Sequence, residues 1–220
     1  MYSPSASHAL RGSSKYHVFR SITIDGLEVL NRFCQLVCTS PDIASLVQEL
    51  YFNTYRHFMR QETFIWIHHT AAFPVNRLTR LKTVGFSYVR FGHLAEYPVM
   101  PAFYQNLTRY RGVRELRISS CDFEHMDALE DFIWRFAPQS EQTHTRAPAP
   151  PFALTLDCVT WGIPERITPS RADLCLTSLT IDNYSMPDLI TMWLLRTPSP
   201  MYCGRWELDR VGTFLRSLGN

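Results

Sequence analysis

The sequence has no apolar run approaching the roughly 18 to 20 consecutive residues that a membrane-spanning helix needs. Its first segment, 1–15, is rich in Ser, Ala and His and lacks the apolar core of a secretory signal. These absences argue against a membrane helix and a secretory leader. We therefore expect an intracellular protein of the cytoplasm or nucleus that begins with a disordered segment at 1–15.

The sequence motifs of several enzyme classes are also missing. There is no glycine-rich phosphate loop, no Gly-x-Ser-x-Gly elbow and no His-Glu-x-x-His. Cys121, His125 and Asp127 do supply a thiol, an imidazole and a carboxylate, the groups of a nucleophilic site. Carboxylates are equally favoured at the start of a helix, which is the interpretation we prefer. The sequence thus predicts neither an enzyme nor a cofactor.

No metal site is predicted either. His68 and His69 are adjacent and should point in different directions, while Cys34 and Cys38 share a helical face but lack a second pair at zinc-like spacing. A reducing compartment keeps thiols free, and the surroundings of the cysteines are apolar. We expect buried, inert thiols at all six cysteines, namely Cys34, Cys38, Cys121, Cys158, Cys175 and Cys203.

The sequence does contain a recurring pattern with the spacing apolar-x-x-apolar-x-apolar. The alternation at its end is typical of a short β-strand. The six matching segments are Phe19/Ile22/Ile24, Val47/Leu50/Phe52, Leu78/Leu81/Thr83, Val113/Leu116/Ile118, Pro151/Leu154/Leu156 and Leu176/Leu179/Ile181. Their middle residues are separated by 28, 31, 35, 38 and 25 positions, so the repeat is irregular.

Between these segments the apolar period changes to that of an amphipathic helix. The predicted apolar stripes are Leu27, Leu30, Cys34 and Val37; Phe103, Leu107 and Tyr110; Met126, Leu129, Ile133 and Phe136; Leu189, Ile190, Trp193 and Leu194; and Val211, Phe214, Leu215 and Leu218. The aromatic stretch 55–73 is also interpreted as helical. Four prolines and few apolar residues predict an exposed loop at 138–151.

Alternating strands and helices predict an α/β fold with parallel strands. We expect an irregular leucine-rich-repeat solenoid over 16–220, with the sheet on its concave side and helices on its convex side. The polar residues between the buried strand positions would then face outward on the concave side and form either a partner-binding surface or a merely solvated one. They are Ser21, Thr23, Asp25, Glu49, Tyr51, Asn53, Arg80, Lys82, Glu115, Arg117, Ser119, Thr155, Asp157, Ser178, Thr180 and Asp182.

Five segments of the sequence resemble the leucine-rich-repeat regions of F-box-like proteins of mushroom-forming fungi. The segments concerned are HVFRSITIDG (17–26), SLVQELYF (45–52), GVRELRISSCDF (112–123), LTSLTIDN (176–183) and VGTFLRSLG (211–219). The resemblance implies repeats that select the substrate of a cullin-type ubiquitin ligase, whose adaptor binds an N-terminal F-box. About 16 residues precede the first strand. We therefore expect repeats without their F-box, as part of a longer protein or as a truncated remnant.

Repeats of the resembling family often carry Asn or Cys three positions after the last apolar strand residue. Here those positions hold Leu27, Tyr55, Phe86, Cys121, Val159 and Tyr184. Since only Cys121 complies, no regular asparagine ladder is expected.

The sequence favours a protein–protein interaction module, with an adaptor of the ligase as partner only if an F-box is encoded upstream. A leucine-rich-repeat scaffold unconnected with ubiquitin is an alternative. Nucleic-acid binding through Arg56–Arg117 is another, because residues 1–120 contain 14 basic and 7 acidic residues, against 8 and 13 in residues 121–220. The net charge of +2 and the lack of a nucleic-acid motif make it the less favoured one.

Overall fold

The computed structural model describes residues 17–55, 66–70, 73–94, 100–110, 113–136, 152–162, 178–182 and 206–207. Strands and helices alternate along this part of the chain. The strands are β1 (Ser21–Ile24), β2 (Glu49–Asn53), β3 (Thr83–Ser87), β4 (Glu115–Ser119), β5 (Asp122–Phe123), β6 (Ala153–Asp157), β7 (Thr160–Trp161), β8 (Ser178–Asp182) and β9 (Trp206–Glu207). The helices are α1 (Leu27–Thr39), α2 (Pro41–Ala44), α3 (Phe91–Leu94), α4 (Met100–Leu107) and α5 (Met126–Phe136), with 3₁₀ turns at Val75–Arg77 and Thr108–Tyr110.

The main sheet is parallel throughout, in the order β1-β2-β3-β4-β6-β8-β9, and β9 adds only two residues to its six longer strands. Each strand pairs with the next one along the chain that belongs to this sheet. Parallel neighbours need a crossover connection, and α1 and α5 lie in two of these connections. The predicted α/β class with a parallel sheet is confirmed, although β5 and β7 form a second, two-stranded sheet that was not predicted. Within the described ranges, no helix is long and apolar enough to span a bilayer.

The predicted frame of the third segment is wrong by three residues. The register places Val84 between Leu50 and Leu116, whereas the sequence pattern had placed Leu81 there. Two overlapping frames fit this stretch, and the observed one turns Val84 and Phe86 inward, where each is at most 1% exposed. The predicted frame would have turned Val84 outward, so burial of these apolar side chains decides the register.

The core lies between the inner face of the sheet and the helices. Phe86 occupies its centre, with its ring centroid 5.3 Å from Phe52, 5.1 Å from Phe132 and 5.9 Å from Phe136. The contact with Phe52 is stacked and the other two are edge-to-face, and both are preferred aromatic geometries. The inward row of strand residues beside them, each at most 2% exposed, is Leu50, Val84, Leu116, Leu154 and Leu179.

Two predicted helical stripes are confirmed and a third is corrected. The stripes of α5 and of the α4 region are buried as predicted, at Met126, Leu129, Ile133 and Phe136 and at Phe103, Leu107 and Tyr110. In α1 the stripe is Leu30, Phe33 and Val37, while Leu27 is 40% exposed and Cys34 is half-buried. Phe33 takes the inner position because its ring stacks on Phe73 at 5.5 Å.

Residues 66–70, within the stretch predicted to be helical, form a 3₁₀ helix. Several other predicted features lie outside the described residues: the N-terminal segment 1–15, the proline-rich loop 138–151, and the stripes at 189–194 and 211–218.

The chain turns in the same way directly after β3, β4 and β6, and we call each of these turns a corner. The corner residues Tyr88, Ser120 and Cys158 have φ of 60°, 51° and 51°, in the left-handed region that non-glycine residues rarely adopt. Hydrogen bonds join successive corners, from the Tyr88 amide to the Ser119 carbonyl at 3.0 Å and from the Ser120 amide to the Asp157 carbonyl at 2.7 Å. The repeating unit therefore extends past the strand into the corner.

The residues directly after these corners are buried and none is asparagine: they are Val89, Cys121 and Val159. With the corrected frame, Val89 takes the place that the sequence pattern had given to Phe86. Beyond the corners the chain pairs again in a small parallel sheet of β5 and β7, and an isolated bridge joins Arg90 to Asp122. Apolar packing and backbone hydrogen bonds hold these corners together.

Candidate interaction surface

The register aligns alternate residues of adjacent strands, most of them polar, into rows. The row nearest the start of the strands holds Ser21, Glu49, Thr83, Glu115, Ala153 and Ser178; the middle row holds Thr23, Tyr51, Gly85, Arg117, Thr155 and Thr180; and the last row holds Asn53, Ser87, Ser119, Asp157 and Asp182. We call this set the polar face. It contains all the predicted surface residues except Asp25, which follows β1, and Arg80 and Lys82.

Arg80 and Lys82 are therefore corrected. Arg80 lies in the turn before β3 and Lys82 immediately precedes the strand. The three-residue error in the frame explains both misplacements. Their places on the polar face are taken by Thr83, Gly85 and Ser87.

Gly85 allows a tyrosine to cross the middle row. Tyr51 and Arg117 lie on either side of Gly85, and a β-carbon at position 85 would lie 2.2 Å from Cδ1 of Tyr51. Such a distance is far inside van der Waals contact. The lack of a side chain at Gly85 lets the tyrosine ring lie over β3, where Nη1 of Arg117 donates a hydrogen bond to its hydroxyl at 3.0 Å.

Two carboxylates anchor this arrangement. The hydroxyl of Tyr51 donates to Oε2 of Glu49 at 3.1 Å, and Nε of Arg117 donates to Oε1 of Glu115 at 2.7 Å. The hydroxyl of the nearly buried Thr83 donates to Oε2 of the same Glu115 at 3.0 Å. Five side chains on three adjacent strands thus form one hydrogen-bonded network, which we call the Tyr51–Arg117 network.

The proton-bearing groups of this network keep their protons at neutral pH. Burial is the main cause that raises the pKa of Tyr51 to about 12, with the neighbouring Arg117 acting in the opposite direction. The hydrogen bond to Glu115 is the main cause that raises the pKa of the Arg117 guanidinium. The surface therefore presents a neutral phenol and a cation in fixed positions. Further along the sheet, Ser119 donates to Oδ2 of Asp157 at 2.8 Å.

A pocket of about 400 Å³ lies at the edge of the sheet where the strands begin. Arg20, Gln48, Lys82 and Arg114 each precede a strand, and backbone bonds connect them in sequence. The Gln48 amide donates to the Arg20 carbonyl, the Lys82 amide to the Gln48 carbonyl and the Arg114 amide to the Lys82 carbonyl, at 2.7 to 2.9 Å. Glu49, Thr83, Glu115 and Ala153 complete its lining.

Sequence reasoning missed this pocket. Its four edge residues all occupy the second position of the apolar-x-x-apolar-x-apolar frame, once β3 is placed correctly. A comparison of charges at equal frame positions would have revealed Arg20 and Arg114 together. Lys82 would have joined them only after the correction, because the predicted frame assigned it to the polar face.

Within the group Cys121, His125 and Asp127, the thiol lacks the exposure and the lowered pKa of a nucleophile. The Cys121 thiol is buried, burial raises its pKa to about 12, and it donates weakly to the carbonyls of Ser119 and Phe86. His125 is partly exposed, with Nδ1 3.9 Å from Oε2 of Glu124. Cys121 is a core thiol at a corner.

The burial predicted for the other cysteines is partly wrong. Cys38 and Cys158 are exposed and Cys34 is half-buried, because Cys38 lies off the buried stripe of α1 and Cys158 occupies a corner. The pKa of Cys34 is raised, first by burial and then by Cys38. Cys175 and Cys203 lie outside the described residues.

The side chains of His68 and His69 lie in different environments, as expected if they point in different directions. His68 is half-buried with its ring edge-on to Phe103 at 6.2 Å, and its pKa is lowered, first by burial and then by His69. His69 is exposed. Over the described ranges, no group of three or more His, Cys, Asp or Glu side chains is arranged to hold a metal ion.

The chain matches no protein-family model, and no significant match links it to a curated protein or a solved structure. The resemblance to repeats of F-box-like proteins therefore depends on the strand segments alone. Any functional proposal has to start from the polar face and its edge pocket.

Proposed function

We propose that this chain is an irregular leucine-rich-repeat solenoid that works as a protein–protein interaction module. Its parallel sheet would be the concave side and its helices the convex side, as in repeat proteins that bind partners on the concave surface. The observation that carries the proposal is the Tyr51–Arg117 network on the polar face. It fixes a tyrosine of β2 and an arginine of β4, the two strands that flank β3, before any partner arrives.

The composition of the network suits a protein partner. Tyrosine and arginine are enriched at the energetically dominant positions of protein interfaces. Because the hydrogen bonds to Glu49 and Glu115 already restrict both side chains, binding costs less conformational entropy than it would with free side chains. A merely solvated face would not need Gly85 for a tyrosine to cross a strand.

The resemblance extends the proposal to ubiquitin ligases. The chain would be the substrate-recognition repeats, or a truncated remnant, of an F-box-like protein, and contact with the ligase adaptor would require an F-box encoded upstream. Sequencing the full transcript and testing its product for co-purification with the adaptor examines this link. A transcript without an F-box, together with no bound adaptor, leaves a scaffold unconnected with ubiquitin.

Affinity capture followed by binding measurements tests the interaction role. The wild-type chain, an Arg117→Ala variant and an Arg32→Ala control would each be used to capture proteins from cells of the native source. Arg32 is a matched control because it is an exposed arginine of α1, paired with Glu28 of its own helix. The captured protein would then be purified and titrated against all three chains.

We expect Arg117→Ala to weaken binding of the purified partner by roughly tenfold or more, since truncating a hot-spot arginine at an interface centre commonly costs about 2 kcal/mol or more. Arg32→Ala should leave binding unchanged. Equal affinity of all three chains for the partner would contradict the proposal that the polar face is the binding surface.

Nucleic-acid binding is the second candidate, favoured by the exposed cations Arg20, Lys82 and Arg114 at the edge pocket. Against it, two other arginines of the basic stretch lie beside carboxylates, Arg117 at Glu115 and Arg90 with Nε 4.0 Å from Asp122. Phosphate contacts make affinity fall steeply with salt. A gel shift that is absent, or insensitive to salt, would eliminate this candidate.

A further inference from the structure

We propose that the edge pocket binds an acidic peptide segment of the partner protein. This inference rests on the interaction role proposed above and adds the chemistry of the ligand. Three exposed cations, Arg20, Lys82 and Arg114, lie around one pocket of about 400 Å³. None of the three forms an ion pair with another residue of the described ranges.

The two carboxylates that border the pocket are already engaged. Both oxygens of Glu115 accept hydrogen bonds, Oε1 from Arg117 and Oε2 from Thr83, and Glu49 accepts one from Tyr51. Glu115 is therefore paired with a cation of the network, Arg117, and neither carboxylate forms an ion pair with Arg20, Lys82 or Arg114. The pocket should attract an anionic group that can reach the beginning of the strands.

The spacing of the cations fits a short extended peptide. Adjacent strands lie about 4.8 Å apart, so Lys82 and Arg114, which precede the neighbouring strands β3 and β4, start from backbones about 4.8 Å apart. Arg20 precedes β1, about 14 Å from β4 along the row. An extended peptide of about four or five residues spans this distance and can carry acidic side chains on one face.

The carboxylates also favour a peptide over a nucleic acid. A peptide has backbone N–H groups that can donate hydrogen bonds to Glu49, since a carboxylate offers more acceptor sites than the one that Tyr51 occupies. A continuous phosphate backbone would instead bring negative charge against Glu49 and Glu115. The mixed charge of the pocket thus fits separate carboxylates better than a polyanionic strand.

Fluorescence anisotropy with the full chain tests the proposal. The probes are a short labelled oligoglutamate peptide, an oligoglutamine peptide of equal length, and a single-stranded oligonucleotide of equal net charge. The pocket variant is Lys82→Glu with Arg114→Glu. Its matched control is Arg77→Glu with Arg109→Glu, which makes the same charge change at exposed residues of the two 3₁₀ turns, outside the pocket lining.

The wild-type chain should bind oligoglutamate in preference to oligoglutamine and the oligonucleotide, and more weakly as salt rises. The pocket variant should bind oligoglutamate roughly tenfold more weakly, because two attractive contacts become repulsive, while the control should lose little. A Lys82→Gln and Arg114→Gln variant, which removes charge without adding repulsion, should show an intermediate loss. Unchanged unfolding midpoints would show that each variant is folded.

Three results would overturn the proposal. They are no binding of oligoglutamate at low salt, equal losses in the pocket variant and the control, and tighter pocket-dependent binding of the oligonucleotide. Failure of this proposal can be distinguished from failure of the proposed interaction role. If oligoglutamate does not bind but Arg117→Ala still weakens binding of the captured partner, the polar face remains the interface and only the proposal of an acidic ligand is wrong.

Discussion

Replacing Gly85 with alanine should have opposite effects on stability depending on whether Tyr51 is present. In the wild-type background, the new β-carbon would collide with Cδ1 of Tyr51 and displace the ring from β3. Displacement breaks the hydrogen bonds that the tyrosine hydroxyl makes with Glu49 and Arg117. In a Tyr51→Ala background there is no ring to displace, so only the backbone effect of the substitution remains.

The magnitudes follow from the contacts. Two hydrogen bonds near the surface contribute about 1 to 2 kcal/mol together, and the ring packing over the strand contributes about 1 kcal/mol. Alanine in place of glycine within a strand stabilises the folded state by about 0.5 to 1 kcal/mol, because it restricts the conformations of the unfolded chain. We therefore expect Gly85→Ala to lower the free energy of unfolding by about 1 to 2.5 kcal/mol with Tyr51 present and to raise it by about 0.5 to 1 kcal/mol without it.

Urea unfolding of the four chains in this double-mutant cycle, followed by circular dichroism, measures both values. The matched control is Ser119→Ala, which breaks the hydrogen bond to Asp157 on the same sheet but does not touch the ring. Its effect should be the same with and without Tyr51. If Gly85→Ala destabilises both backgrounds equally, the tyrosine does not lie over β3 and the described network is wrong.

Three further predictions concern the core, the cysteines and the phenol. Phe132→Ala should lower the free energy of unfolding by about 3 to 5 kcal/mol, measured in urea, because it removes a fully buried ring that packs against Phe86 and Phe136. Iodoacetamide at mildly alkaline pH should alkylate Cys158 while sparing Cys121 until the protein unfolds, as read by peptide mass spectrometry. In ultraviolet titration, Tyr51→Phe should remove a phenol that ionises at about 12 instead of 10.0.

The sign of the tyrosine effect follows from its raised pKa. The folded protein holds the proton more tightly, so the stabilisation is complete below the unfolded value of 10.0 and is lost as pH rises towards about 12. A phenol at position 51 that ionises at its ordinary value would contradict the burial described.

The other two predictions can also be contradicted. Rapid alkylation of native Cys121 would contradict its placement in the core. A loss of unfolding free energy below 1 kcal/mol in Phe132→Ala would contradict the burial of the Phe132 ring among other aromatic rings.

Where the local pattern has one solution, the sequence predicts the fold well. Around β4, Val113, Leu116 and Ile118 admit one frame, and the strand lies where the frame places it. Around β3, Leu81 fits the pattern either as the middle residue or as the first. The choice depends on which residues meet Leu50 on the neighbouring strand, and a local pattern carries no information about that pairing.

The polar face was predicted as a set of residues, whereas its network was not. Tyr51, Gly85 and Arg117 come together because three strands pair in one register, across a sequence separation of 66 residues between the tyrosine and the arginine. A glycine inside a strand can indicate close approach of another group. With the frame misplaced by three residues, however, Gly85 fell outside the predicted strand and carried no such signal.

The most direct test of the central claim, that the polar face of the parallel sheet binds a protein partner, is site-specific photocrosslinking. A photoreactive amino acid would replace Thr155, which neighbours Arg117 in the middle row, and in a second chain it would replace Glu28 on the exposed side of α1. After irradiation with the captured partner, we expect a crosslinked product from position 155 and none from position 28. Crosslinking from position 28 alone would place the interface on the helices and contradict the claim.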